Sequence, residues 1–259
     1  MISIKEKIIL ITGASSGIGA ACARLFASFG AKLILTARRL DRIDALAAEL
    51  KKIHETQCLT LCVDVRYQKT VEHSIKSLPN NWEAIDILIN NAGLALGSDP
   101  IQSGSLKNWD TMIDTNVKGL LYVTHAILPG MLQRKQGHIV NIGSIAGQEA
   151  YPNGNVYCAS KQAVRAISKT MRIDLLGTPI RVTEIAPGGV KTEFSTVRWD
   201  DPGRAKAFYD DFEPLLAEDI ADAIYFSITR PAHVDIAEIT IMPTVQASAN
   251  HLYRKSTAK

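Results

Sequence analysis

Cysteine is scarce in this chain, with four among 259 residues: Cys22, Cys58, Cys62 and Cys158, and no C-x-x-C pair. A disulfide-stapled scaffold is excluded, and small buried thiols in a reducing compartment are expected. The six histidines, His54, His73, His125, His138, His233 and His251, lack metal-ligand spacing, so no metal is called for. Charge of one sign is also missing. The net charge is only +3 and the basic residues are scattered, so nothing requires a nucleic-acid partner. No apolar run reaches transmembrane length and no charged start leads into a signal-type apolar core. A soluble cytoplasmic protein without a membrane partner is the expectation. Repeats, low-complexity stretches and dividing linkers are absent as well, which leaves a single domain over 1–259 with room for a sizeable core.

What is present alternates. Short apolar, β-branched runs at 7–12, 31–36, 59–63, 85–90, 137–142, 180–185 and 238–242 read as strands, separated mostly by amphipathic helical patterns such as 20–29 and 40–53. This predicts an α/β fold: one doubly wound, Rossmann-like domain with a seven-stranded, mainly parallel sheet and helices on both faces. Right-handed crossovers put the ligand at the carboxyl ends of the strands. The polar stretch 192–212 contains Pro202-Gly203 and follows Pro187-Gly188-Gly189. It is the expected mobile lid over a substrate, with a plain surface excursion as the alternative.

The first strand empties into Gly13-Ala14-Ser15-Ser16-Gly17-Ile18-Gly19 and then a helix. Glycines permit a tight turn and close backbone approach, and a helix amino terminus attracts a pyrophosphate. The spacing is G-x-x-x-G-x-G rather than G-x-G-x-x-G, and no Gly-Lys-Ser/Thr ending marks a triphosphate loop. After the second strand, where NAD sites place a carboxylate for the ribose 2′-hydroxyl, stand Arg38 and Arg39. A guanidinium suits a 2′-phosphate. NADP(H) is therefore the predicted cofactor, with Arg38 the first contact and Arg39 the second; for Arg39, a solvated place at the start of the next helix is the equal alternative.

Tyr157 and Lys161 lie four residues apart, on one face of a helix. An ammonium there is expected to favour the phenolate and lower the tyrosine from its usual value of about 10. The strand 137–142 delivers Ser144 from its carboxyl end, a hydroxyl able to hold a substrate oxygen beside Tyr157. Together these suggest carbonyl/alcohol chemistry, although Tyr-x-x-x-Lys by itself is a common helix-surface pair.

Taken in order, Thr12 to Gly19, Asp64, Asn90-Asn91-Ala92-Gly93, Asn116, Ser144, Tyr157, Lys161 and Pro187-Gly188 resemble the short-chain dehydrogenase/reductase family across nearly the whole chain. The resemblance implies an NADP-dependent enzyme acting on CH–OH groups, with Asn116, Ser144, Tyr157 and Lys161 as catalytic tetrad. It implies cofactor contacts from Gly13, Ser15, Ser16, Gly17, Ile18 and Gly19, with Asp64 and Val65 near adenine. Asn90 and Gly93 border the ribose, which Lys161 also binds; Thr192 lies near the nicotinamide amide, and Ala92, Tyr157, Pro187, Gly188 and Val190 are further cofactor contacts. Tyr157 would exchange the hydroxyl proton as hydride moves to or from the nicotinamide, with Asn116 anchoring a water that links Lys161 to solvent. Family members commonly form homotetramers, here through the helices at 106–133 and 156–176 and a tail at 249–259.

A narrower resemblance, carried by Met112-Ile113-Asp114-Thr115-Asn116, Leu128-Pro129-Gly130-Met131, Gly154-Asn155-Val156-Tyr157 and Thr192 to Arg198, is to the NADP-dependent 3-hydroxy acid dehydrogenase group. It implies substrates such as serine, L-allo-threonine and 3-hydroxypropionate. Ser144, Gln148, Tyr157 and Arg198 are the expected substrate contacts, with Arg198 as carboxylate clamp or, alternatively, paired with Asp200 or Asp201. Gly189 and Trp199 depart from the group's usual leucine and phenylalanine. Reductases of 3-oxoacyl or small ketone compounds and a non-catalytic NADP sensor are the competing readings. A serine hydrolase is not, because Ser144 is not centred in G-x-S-x-G.

Overall fold

The central β-branched and leucine-rich runs are buried on both sides, and in the computed structural model, which describes residues 2–255, they form one sheet with half-buried runs at its two edges. Its strands are β1 (Ile8–Thr12), β2 (Lys32–Ala37), β3 (Cys58–Cys62), β4 (Ile87–Asn90), β5 (Gly137–Ile142), β6 (Ile180–Pro187) and β7 (Glu238–Ile241). They lie in the order β3-β2-β1-β4-β5-β6-β7 and every neighbouring pair is parallel, so the sheet is wholly rather than mainly parallel.

Alternation of side chains divides the core in two. Ile9, Ile11, Leu33, Leu35, Ile87 and Ile89 point to one face. There they meet α1 (Gly17–Ser28), α2 (Leu40–His54) and α9 (Ala217–Ile228) through residues such as Phe26, Leu50 and Ile224. Ile8, Leu10, Ile34, Leu88, Ile139 and Val182 point to the other, covered by α3 (Gln68–Lys76), α5 (Leu120–Arg134) and α6 (Asn155–Asp174). Each fully buried Ile or Leu contributes about 1.5–3 kcal/mol on leaving water. Strand order reverses between β1 and β4, which opens a crevice above their carboxyl ends.

The helical region expected at 106–133 is not uniform. α4 (Leu106–Ile113) passes through a π-helical stretch, Asp114–Gly119, before α5 begins. The widened turn brings Thr115 and Asn116 into the interior. Gly119 is required there, because a Cβ would come 2.6 Å from Val65 Cγ2. The region 192–212 folds as α7 (Phe194–Trp199) and α8 (Pro202–Tyr209), the latter capped by the Asp201 carboxylate, which accepts from Arg204 N–H. Thiol burial differs from expectation: Cys22 and Cys158 are buried, but Cys58 is half-buried and Cys62 exposed, because β3 is an edge strand. The tail turns back over its own chain. Asn250 Nδ2 donates to Glu149 and Ala150, and Gln246 bridges to Leu252. The last part of the predicted intersubunit tail, 256–259, lies outside the described residues.

Candidate active site

Thr12 ends β1 by fastening it to the loop after β4. Its hydroxyl accepts from the N–H groups of Asn91 and Ala92 at 3.0 and 2.9 Å, and Asn91 Nδ2 donates to the carbonyl oxygens of Thr12 and Gly13. Gly13 then turns at φ +66°, where a side chain would be strained and its Cβ would lie 3.0 Å from Ala92 Cα. Gly17 opens α1 at φ +53° against Thr192. Ser16, the residue before the helix, makes no side-chain cap, which leaves the first amides of α1 facing the cleft. A cradle of this kind at a helix amino terminus fits a pyrophosphate.

The cleft has a volume of about 840 Å³ and runs from this cradle to α7. Of the predicted cofactor contacts, Gly13, Ser15, Ser16, Gly17, Ile18, Arg38, Arg39, Asp64, Val65, Ala92, Gly93, Tyr157, Lys161, Pro187, Gly188, Val190 and Thr192 all line it. Arg38 is exposed at its edge. Arg39 is the more tightly held arginine: it donates to Ser15 and Ser16 at 2.9 to 3.2 Å and pairs with Glu193 at 3.0 Å. Glu193 also takes Arg42 at 2.6 Å. Three basic side chains thus gather around the end of β2, a fit to a phosphate-bearing ribose.

Four predicted residues stand apart from the cleft wall. Gly19 serves packing, since a Cβ there would come 2.6 Å from Asn91 Nδ2 and Gly13 O. Asn90 is buried beneath the floor, donating to Thr124 Oγ1 and Asn141 Oδ1. Gln148 leaves the short 3-10 turn Ile145–Gly147 directed at the sheet edge, where it donates to Glu238 and Thr240. The fourth, Asn116, uses its amide on Leu94 N–H, Leu94 O and Ser160 Oγ. Its side chain is therefore engaged with protein, tying the loop after β4 to α6. Asn116 Oδ1 and Lys161 Nζ nevertheless converge beside Gly93, lying 3.3 and 3.5 Å from where its Cβ would be.

Ser144, Tyr157 and Lys161 come together where β5 ends and α6 begins. Ser144 Oγ accepts from Ala146 N–H, and Lys161 Nζ donates to Ile142 O at 2.8 Å. Phe194 from α7 packs on the Tyr157 ring with centroids 5.5 Å apart. The electrostatics correct the simple expectation for Tyr157. Burial pushes its hydroxyl well above the usual range, reinforced by Tyr151, while Ser144 and Arg198 oppose the rise. Lys161 is itself lowered by burial to about 8, against the pull of Glu184, and its proton is directed at a backbone carbonyl. The phenol is thus held in its proton-bearing form.

Arg198 is paired with neither Asp200 nor Asp201. Its Nε donates to Gly97 O at 3.1 Å and its Nη1 to Tyr151 Oη at 2.9 Å, and its guanidinium carbon lies 5.9 Å from the Tyr157 ring centre. Tyr151, which lines the cleft, is its holder. Glu149 is bonded to the tail. The part played by Glu193 had no local signal, since its partners lie 151 and 154 positions away.

A doubly wound sheet with a glycine cradle at its switch point and a serine, tyrosine and lysine converging beside it defines a dinucleotide-dependent oxidoreductase. The short chain dehydrogenase family model matches residues 7–203. The chain is 48% identical over 244 residues to the NADP-dependent 3-hydroxy acid dehydrogenase of Salmonella typhi, covering 93% of this chain and 97% of that one. Sulfoacetaldehyde reductase 2 of Chromohalobacter salexigens is also 48% identical, over 242 residues, with 93% and 95% covered. The closed form of serine dehydrogenase complexed with NADP+ superposes with a TM-score of 0.89 at 46% identity, over 96% of this chain and all of that one. The chain belongs to the short-chain dehydrogenase family, and is an NADP-dependent oxidoreductase acting on hydroxyl or carbonyl groups.

Proposed function

We propose that the enzyme moves hydride between NADP(H) and a small 3-hydroxy acid or its semialdehyde or ketone, of the serine, L-allo-threonine or 3-hydroxypropionate type. Arg198 carries this reading. It is a guanidinium beside the tyrosine, lining the cleft, with only neutral oxygen partners among the described residues. A carboxylate one carbon removed from the reacting carbonyl suits that separation, and the arginine offers it a charge-assisted hydrogen bond.

Bound NADP(H) supplies the hydride and, when oxidised, a positive ring. The chain supplies the rest. Ser144 holds the carbonyl oxygen, and Tyr157, kept protonated by burial, donates to that oxygen during reduction. Lys161, with Asn116 beside it at Gly93, holds a positive charge behind the tyrosine. In oxidation Tyr157 takes the proton instead. Residues 192–212 close over the substrate, bringing Phe194 and Arg198 with them.

A second reading comes from the sulfoacetaldehyde reductase relative. A sulfonate one carbon from an aldehyde presents nearly the same pattern to Arg198 as malonic semialdehyde does. NADPH absorbance with 3-hydroxypropionate, L-serine, L-allo-threonine, malonic semialdehyde, sulfoacetaldehyde and uncharged ketones separates the possibilities. A preference for one anionic pair upholds the proposal, while equal rates on uncharged carbonyls would favour a 3-oxoacyl or small ketone reductase. Binding of NADP without turnover of any of them would favour a sensor.

The working form is proposed to be a cytoplasmic homotetramer. Free thiols at Cys22 and Cys158 suit a reducing compartment, and no helix of the described residues is long and apolar enough to cross a membrane. Leu106 and Leu121 on α4 and α5, and Phe226 on α9, leave apolar surface for other subunits.

A further inference from the structure

Glu184 on β6 is fully buried, and neither of its carboxylate oxygens has a hydrogen-bond partner among the described residues. Burying a carboxylate in this way is costly, and the proton transfer described above makes no use of it. Side chains alternate along β6, so Glu184 shares the α6 face with Val182. There it packs against Gly143: a Cβ on that glycine would come 3.1 Å from Glu184 Cγ and Cδ, and nearer still to Oε1. The same peptide unit begins at Ile142, whose carbonyl oxygen accepts Lys161 Nζ at 2.8 Å. One peptide, directly before Ser144, therefore has the ammonium at its oxygen and the carboxyl against its α-carbon.

The charged groups facing Glu184 are Lys161, Arg165 and Arg172 from α6 and Glu238 from β7, while β5 offers the neutral Asn141 in register. Two of the three cations are otherwise engaged. Arg165 pairs with Glu238 at 3.4 Å, and Arg172 donates to the carbonyls of Val182 and Ala237. Lys161 has a single carbonyl, and Glu184 is the acid that acts on it. Burial foremost, with Glu238, raises Glu184 to about 7, and burial lowers Lys161 to about 8. The carboxyl thus gives up its proton before the ammonium does, so its charge is there to hold the ammonium's proton as pH rises.

We propose that Glu184 is a positioning residue for Lys161: a carboxylate sealed behind the Ile142–Gly143 peptide that keeps the ammonium charged as the solution turns alkaline, widening the pH range over which the site works. This rests on the assignment of Lys161 as the cation of the site. The test follows the lysine directly, by NMR titration of full-length protein carrying 13Cε-lysine, with the Lys161 signal assigned through its loss in Lys161→Arg. In Glu184→Gln the Lys161 midpoint falls by about one unit, and in Glu184→Asp, which keeps the charge, it stays near the wild-type value. The alkaline limb of kcat/KM moves with it, whereas a merely structural role would lower kcat/KM evenly at all pH values. Glu184→Met removes the charge without needing hydrogen bonds and serves if the glutamine variant does not fold. An unmoved Lys161 midpoint in the neutral variant overturns the proposal. A moved midpoint with an unmoved kinetic limb upholds the coupling and instead overturns the role given to Lys161 in turnover.

Discussion

Burial of Tyr157 makes the protein an acid before it makes it a base. With the phenol held above its ordinary range, the proton needed for carbonyl reduction is in place at neutral pH. Tyr157→Phe keeps the ring packing on Phe194 but removes that proton. NADPH-dependent turnover is expected to drop by about 100-fold or more, while cofactor affinity measured by NADPH fluorescence changes little. At Arg198 the geometry matters as much as the charge, because its Nε and Nη1 are already oriented by Gly97 and Tyr151. Arg198→Lys is expected to raise KM for anionic substrates by about tenfold and leave kcat for an uncharged ketone nearly unchanged; equal effects on both would remove the arginine from substrate recognition.

Among the elements, β5 and β6 were legible as buried strands because β-branched residues crowd 138–142 and 180–185. Their polar members were not. Glu184 and His138 are buried without any local sign of it, since nothing in the adjoining residues says that a polar side chain in this sheet faces protein rather than water. The π-helical stretch Asp114–Gly119 was equally silent, being made of residues compatible with an α-helix, and Gln148 is drawn away from the cleft by its bonds to Glu238 and Thr240, 90 and 92 positions on. His138 has a measurable consequence. Burial first, then Arg181, lowers it to about 3 from 6.5, and its Nε2 lies 2.8 Å from Thr183 Oγ1. Between those values the unfolded chain binds the proton and the native state does not, so this group's contribution is fully present above pH 6.5 and is lost as pH falls toward 3. Urea unfolding at pH 7 and pH 5 is expected to show lower stability at pH 5, and His138→Asn should flatten that difference.

For the molecule as a whole, the glycine cradle and the succession of strands and helices were readable because each depends on short-range spacing. The shape of the cleft was not, because α7, α8 and the returning tail reach it from distant positions. The same limit affected the two arginines. Position alone makes Arg38 the stronger phosphate contact, yet tertiary contacts with Ser15, Ser16 and Glu193 orient Arg39 instead. Arg38→Asp and Arg39→Asp are both expected to shift the ratio of kcat/KM for NADP over NAD by at least about tenfold toward NAD. An unchanged ratio in both would place the 2′-phosphate elsewhere.

Glu193 joins two halves of the cleft that chemistry keeps separate. Its carboxylate clasps Arg39 and Arg42 at the end where a dinucleotide's phosphate belongs, yet it immediately precedes the helix bearing Phe194 and Arg198. An incoming phosphate would compete for those guanidiniums, and a loosened clasp would release the start of that helix. The kinetic signature is compulsory order, with coenzyme entering first and leaving last. Product-inhibition patterns should show that sequence in the wild type and a drift toward random entry in Glu193→Gln.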